Sequence, residues 1–295
     1  MKKNIMIIVS EFPPGPGGIG DHAYNLAMKL SEKGYGINVL TYERENFKSQ
    51  TLSFDKGLPF DISRYHRREI GIIGVLIRLL LITKKIFSSK KDDIIIASGN
   101  TPLWFLGILS YFIKKKDLYC IIHGTEMNHS KGWKKKISSW SSNKYKKLIA
   151  VSSYTKNIIE KISKNKNIFV IPNGYNDLKI QNISKGKIPG SPSLITVGAV
   201  TARKGQHNVI KASPAIINYY PKYQYHMVGI PKDKNKLIKL AKSLNVDAHI
   251  NFHGILSNQD LFTHISGSKI FVMLSEEQDD GDVEGFGIAI IEANA

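Results

Sequence analysis

The chain has 295 residues, of which 42% are hydrophobic, with one cysteine, Cys120; this composition supplies packed cores and excludes a disordered chain or an internal disulfide framework. Formal net charge is +18, and the excess is uneven: residues 1–180 carry 30 Lys+Arg against 14 Asp+Glu, residues 181–295 only 12 against 10. A basic first half suits an anionic partner, whether a phospholipid surface, an acidic substrate or nucleic acid.

From the N-terminus, strand-like runs alternate with helix-like ones. "NIMIIVS" is a short continuous apolar run, too short for a signal-peptide core. "DHAYNLAMKLSEKG" spaces Ala23, Leu26, Ala27 and Leu30 on one helical face, with Asp21 predicted to cap it and Gly34 to stop it. "INVLTY" reads as strand. Ile70–Phe87 reads as an amphipathic helix; its apolar part, Ile70–Ile82, is 13 residues long and interrupted by Arg78, against the ~20 that a bilayer span requires. "DIIIASG", "LYCIIHG", "KLIAVS" and "IFVIPNG" are further β-rich runs, each preceded by a plausible helix. Cys120 lies in one of them and is expected to be a small buried hydrophobe. The alternation predicts a parallel sheet covered on both faces.

A polar stretch rich in Gly, Pro and Ser, 176–192, interrupts the rhythm, which restarts with "LITVGAV", a Gln206–Asn218 helix, "YQYHMVG", an Asp233–Leu244 helix, "AHINFHG" and "KIFVML". Two doubly wound domains are expected, 1–178 and 179–295, facing a cleft. The second is expected to be incomplete, since its last motif, "EGFGIAIIEANA", opens a helix with no return strand after it.

Three turns carry chemistry. "SEFPPGPGGIGDH" contains G-x-G-x-x-G at Gly15, Gly17 and Gly20. With Glu43 as the ribose acid this would suit a nicotinamide site, but two prolines push the glycines far beyond the strand end. Gly17 and Gly18 before a helix still offer backbone N–H groups to an anion. In "VGAVTARKG", Arg203 and Lys204 stand between a strand and a helix, a place for a diphosphate. In "EGFGIAIIE", Glu284 and Glu292 are eight residues apart, and Gly285 and Gly287 flank Phe286 at a strand-to-helix turn. Glycines there let backbone amides approach a sugar hydroxyl, and Glu292 can accept from both hydroxyls of a ribose. Cations for a diphosphate and carboxylates for diols describe a nucleotide-sugar site.

These residues resemble the family-4 retaining glycosyltransferases. The likeness rests on "PPGPGGIGDHAYNLAMKL", "HGTE" at 123–126, "AVSSYTKNII" at 150–159, "VIPNGYN" at 170–176, "VGAVTARKG" at 197–205 and the E-x7-E of 284–292. The resemblance implies an α/β protein of the GT-B fold, two Rossmann-like domains facing a cleft. It implies transfer of a sugar, with retention and without a metal or other cofactor, from a nucleotide sugar (UDP- or GDP-linked) to a saccharide or lipid-linked acceptor of cell-surface polysaccharide or lipopolysaccharide synthesis. By position, Arg203 and Lys204 would bind the diphosphate and stabilise the leaving group, Glu292 the ribose, and Glu284 with the Phe286 and Gly287 amides the transferred sugar. Gly17 and Gly18 would touch the diphosphate or acceptor. His123 would face the reacting sugar, with Glu126 orienting it. The chain departs from the family at Ala199, where many members have Arg, and Arg203 would supply that charge.

Asp280-Gly281-Asp282 is a D-x-D, expected to be a solvated acidic loop rather than a metal ligand set. Lys131–Lys147 interleaves seven lysines with Trp133, Trp140 and Tyr145, a composition suited to an anionic bilayer surface. The chain is therefore expected to be cytoplasmic and peripheral on the inner face of the cell membrane, with no nucleic-acid partner. Three other classes stay open at this stage: a nucleotide-sugar epimerase, a basic nucleic-acid-binding protein and a nicotinamide oxidoreductase.

Overall fold

A computed structural model describes residues 3–66, 71–88, 94–113, 116–129, 132–175, 183 and 186–295. Lys131, the expected boundary at 178/179 and most of the expected linker 176–192 lie outside the described residues. By its internal contacts the chain divides into two compact units, Met1–Asn173 and Gly174–Ala295.

The first unit is built on a seven-stranded sheet in the order β3-β2-β1-β4-β5-β6-β7, parallel throughout. Its strands are β1 (Asn4–Val9), β2 (Gly36–Glu43), β3 (Asp61–His66), β4 (Ile94–Ser98), β5 (Asp117–Ile122), β6 (Lys147–Ala150) and β7 (Ile168–Val170). Ile5 to Val9 are all buried, as a strand covered by helices on both faces must be, which is why the run is continuously apolar. Cys120 is a fully buried free thiol. Strand β3, "DISRYH", lies at the edge of the sheet; it has no apolar run, its residues 62–65 are only half-buried, and it escapes sequence detection. The helices are α1 (Gly18–Glu32), α2 (Lys48–Lys56), α3 (Gly71–Ser88), α4 (Asn100–Leu109), α5 (Gly132–Ser142) and α6 (Ser153–Ile162).

Helix α1 stops as predicted. Gly34 takes φ +79°, and Gly34 N–H and Tyr35 N–H donate to the Ser31 and Leu30 carbonyls at 2.8 and 3.1 Å, the paired bonds of a left-handed helix terminus. Its start differs from prediction. Asp21 lies within the first turn and is not the cap; the N-cap is Gly17, whose position carries no capping side chain. Glu11 reaches in from the preceding loop instead, and its Oε1 accepts from Gly20 N–H at 3.3 Å.

The second unit repeats the scheme on a smaller parallel sheet, β10-β9-β8-β11. Here β8 is Ser193–Val197, β9 Gln224–Val228, β10 Ile250–Gly254 and β11 Ile270–Phe271, and the helices are α7 (Gln206–Tyr219), α8 (Lys234–Ser243), α9 (Asn258–Gly267) and α10 (Ile288–Asn294). Tyr223, Tyr225, Met227, Val209, Ile210 and Val246 form its core. In both sheets the chain winds outward on one side of the first strand and then returns to its other side, between β1 and β4 and between β8 and β11. Crevices at such reversals, outside the carboxyl ends of the strands, are where ligands bind in open α/β sheets.

Candidate active site

In the second unit the loop after β8 delivers both predicted cations. Residues Ala202–Lys204 form a single 3₁₀ turn before α7. Gly198 leaves room for the lysine stem: a Cβ there would sit 2.8 Å from Lys204 Cε. Gly205, at φ +70°, lies so close to the next segment that a Cβ would stand 1.7 Å from the Leu274 carbonyl oxygen. The two segments are laced together by Glu276 N–H donating to the Arg203 carbonyl at 2.9 Å.

Glu284 meets this turn. Its Oε2 lies 2.6 Å from Arg203 Nη1 and 2.5 Å from Lys204 Nζ, while its Oε1 accepts from Gly287 N–H at 3.1 Å. Lys204 Nζ also approaches Met273 Sδ at 3.6 Å. Burial by itself would raise the Glu284 carboxyl, but Lys204 and then Arg203 outweigh it and hold it below its ordinary value. Gly287 takes φ +79° as the N-cap of α10, which Phe286 precedes and which carries Glu292, half-buried, in its second turn. Gly285 and Gly287 are buried. The structure thus joins Arg203, Lys204, Glu284 and Gly287 by direct contact, and holds Gly285, Phe286 and Glu292 on the same short segment.

The acidic loop is solvated, with Asp279 and Asp280 exposed, but Asp282 in it also pairs with Arg203, its Oδ2 lying 3.1 Å from Arg203 Nε. Among the described residues no cluster of three or more His, Cys, Asp or Glu is disposed to hold a metal.

In the first unit, the predicted groups stand at the reversal between β1 and β4. Gly17 and Gly18 open α1, but a carboxylate is already there: a Cβ on Gly17 would sit 2.3 Å from Glu11 Oε1. Glu11 is held by Arg44, whose Nη2 pairs with its Oε2 at 2.6 Å and whose Nη1 donates to the Pro16 carbonyl at 2.6 Å. His123 follows β5, with Nε2 2.9 Å from Ser98 Oγ and its ring 5.2 Å edge-on from that of His22. Burial, then the neighbouring His22, pushes His123 down to about 3, and burial pushes His22 down to about 4. Both rings are therefore neutral at physiological pH. Glu126 does not orient the His123 ring. Its Oε2 accepts from the His123 backbone N–H at 3.0 Å, so it shapes the loop, while Ser98 holds the ring. Glu126 is 1% exposed, and burial pushes its carboxyl up to about 7 against backbone hydrogen bonds that favour the charged form.

Sequence reasoning missed Glu11, His22, Arg44 and Ser98, and it named Asp282 without its pairing to Arg203. His22 could have been found, since it stands one helical turn after Gly18 on the helix that opens at the glycines. Arg44 and Ser98 carry no local signal. The aromatic residues of Lys131–Lys147 separate on inspection. Tyr145 belongs to the core, its hydroxyl donating to the Leu103 carbonyl at 2.8 Å, whereas Trp133 and Trp140 are exposed.

The profile of Glycosyltransferase Family 4 matches residues 16–177, and that of Glycosyl transferases group 1 matches residues 179–295. A GDP-mannose-dependent monoacylated alpha-(1-6)-phosphatidylinositol monomannoside mannosyltransferase of Corynebacterium glutamicum is 22% identical over 99% of this chain and 78% of its own. Among solved structures, Anabaena HepE in complex with UDP and glucose superposes with a TM-score of 0.73 at 16% identity, over 99% of this chain and 78% of that one. WaaG, a glycosyltransferase involved in lipopolysaccharide biosynthesis, does so at 0.67 and 14%, over 98% and 78%. No described helix is long and apolar enough to cross a membrane. With both profiles in chain order, and the paired sheets of the GT-B fold beneath them, the chain belongs to glycosyltransferase family 4 and is a glycosyltransferase.

Proposed function

We propose that the chain transfers a sugar, with retention at the anomeric carbon, from a UDP- or GDP-linked donor to a saccharide or lipid-linked acceptor of a surface polysaccharide or lipopolysaccharide. The observation that carries this reading is the convergence of Arg203 and Lys204 on Glu284 Oε2, with Gly287 N–H on the other carboxylate oxygen. In the reaction the bond between the anomeric carbon and the diphosphate oxygen breaks and one to the acceptor oxygen forms on the same face. Negative charge builds on the departing diphosphate, and Arg203 and Lys204, fixed before the reaction begins, stabilise it there. No metal is needed for that neutralisation. Glu284, held in place by Gly287 N–H, takes the sugar hydroxyls with the Phe286 amide, and Glu292 takes the ribose.

His123, neutral and fixed through Nε2, offers its other ring nitrogen as a hydrogen-bond partner for a sugar, and Gly17 and Gly18 serve the acceptor rather than the diphosphate, since the Glu11 carboxylate already holds the anion position at the start of α1. The donor base stays open between the GDP of the mannosyltransferase's name and the UDP in the HepE complex. A thermal-shift panel of UDP-, GDP- and ADP-sugars decides it, since a ligand at 100 times its Kd adds ~2.7 kcal/mol of stability. A panel without any stabilising nucleotide sugar would refute the reading.

Membrane contact belongs to the same proposal. At the end of α4 and along α5, Tyr111 and Trp140 stack at 6.1 Å, Lys144 Nζ lies 4.6 Å from the Tyr111 ring centre and 5.2 Å from that of Trp140, and Phe112 is 71% exposed. Exposed aromatic rings with Lys144 set against them suit the interface of an anionic bilayer, which brings a lipid-linked acceptor to the enzyme.

A further inference from the structure

The two cations of the donor site do not face a ligand with their full charge. Glu284 Oε2 serves both, and Asp282 Oδ2 lies 3.1 Å from Arg203 Nε, so two carboxylates oppose two cations. The carboxylates are not equivalent. Glu284 is 23% exposed and tied down by Gly287 N–H at 3.1 Å. Asp282 is 43% exposed, and Arg203 Nε makes no aligned hydrogen bond; its hold on the guanidinium is charge rather than directed bonding. The loop around Asp282 is held by its neighbours. Val283 is 5% exposed and anchors the segment, Gly281 turns it at φ +87°, and Asp282 N–H donates to Asp280 Oδ1 at 3.0 Å.

We propose that Asp282 is a specificity-determining residue of the donor site, an internal counter-anion that sets how much negative charge a ligand must bring in order to be bound. The inference rests on the nucleotide-sugar reading above. A diphosphate carries enough charge to take Arg203 away from Asp282, while the nucleoside half gains nothing from that exchange. The same residue holds down the affinity for the nucleoside diphosphate product, which favours its release.

The test is a calorimetric titration of the full chain with UDP, GDP, ADP, uridine, guanosine and adenosine. Wild type is compared with Asp282→Asn, with Asp282→Ser, and with Asp279→Asn, which removes the same charge three residues earlier from a side chain that touches neither cation. Both Asp282 variants are expected to lower the Kd of the bound nucleoside diphosphate by about three- to tenfold at low salt, the effect of one charge removed at a partly solvated site, and to lose that gain as salt screens it. The Asp279 variant and the nucleoside titrations are expected to match wild type. Unchanged or weaker diphosphate binding in both Asp282 variants, or equal tightening in Asp279→Asn, overturns the inference and leaves the donor reading standing. Failure of wild type to bind any of the three nucleoside diphosphates overturns both.

Discussion

Glu126→Gln tests whether the loop carrying His123 is built on a buried carboxyl that prefers its proton. Glu126 is raised from 4.5 to about 7, first of all by burial. An acid raised on folding contributes stability that is complete below its unfolded pKa and is lost as pH rises through its folded one. The interval between the two corresponds to about 3 kcal/mol, at 1.36 kcal/mol for each unit. Glutamine cannot ionise, keeps a carbonyl oxygen for the His123 N–H, and places an amide where Glu126 Oε1 has no hydrogen-bond partner; the cost of that unpartnered amide is the same at every pH, so the test reads how the gap in Tm changes with pH. Thermal unfolding of both proteins at pH 5 and pH 8 supplies the assay. Roughly 2.5 kcal/mol of that loss falls between pH 5 and pH 8, and for a unit ending at Asn173 each kcal/mol moves Tm by roughly 2–4 °C, so the variant is expected to gain about 5–10 °C on wild type from pH 5 to pH 8. A difference in Tm that is the same at both pH values, or one that moves against the variant as pH rises, would refute the burial argument.

Lys204→Ala and Glu292→Ala are each expected to depress transfer at least about tenfold, or ~1.4 kcal/mol of barrier, as read from initial rates with the donor found in the thermal-shift panel. Gly205→Ala should cost more than the ~1–2 kcal/mol of a left-handed backbone, because its Cβ would strike the Leu274 carbonyl; urea unfolding and diphosphate binding should both weaken. Because His123 titrates at about 3, the rate profile between pH 5 and 8 should contain no inflection that His123→Asn removes. Replacing Phe112 and Trp140 together by Ala should lower co-sedimentation with anionic vesicles while leaving transfer to a water-soluble acceptor unchanged.

Much of the fold is written locally. Short apolar runs such as Ile5–Val9, alternating with helical patterns, read as strands covered on both faces, and Gly34 ends α1 because glycine takes the left-handed conformation, here φ +79°, at no steric cost. The polar edge strand β3 and the short α2 carry no such signal. For the donor site, residue types and spacing are enough to name Arg203, Lys204, Glu284 and Glu292, since a chemistry that needs cations for phosphate and carboxylates for diols restricts the residues that can serve it.

Which groups neutralise one another is a different matter. Glu284 and Lys204 are eighty positions apart, and their meeting depends on two loops leaving adjacent strands of one sheet. Asp282 becomes a partner of Arg203, Glu11 replaces Asp21 at the start of α1, and Glu126 holds a backbone amide in place of an imidazole for the same reason. Charge and hydrogen bonding act over a few ångströms through space, and distance along the chain says nothing about which side chains fall within that reach.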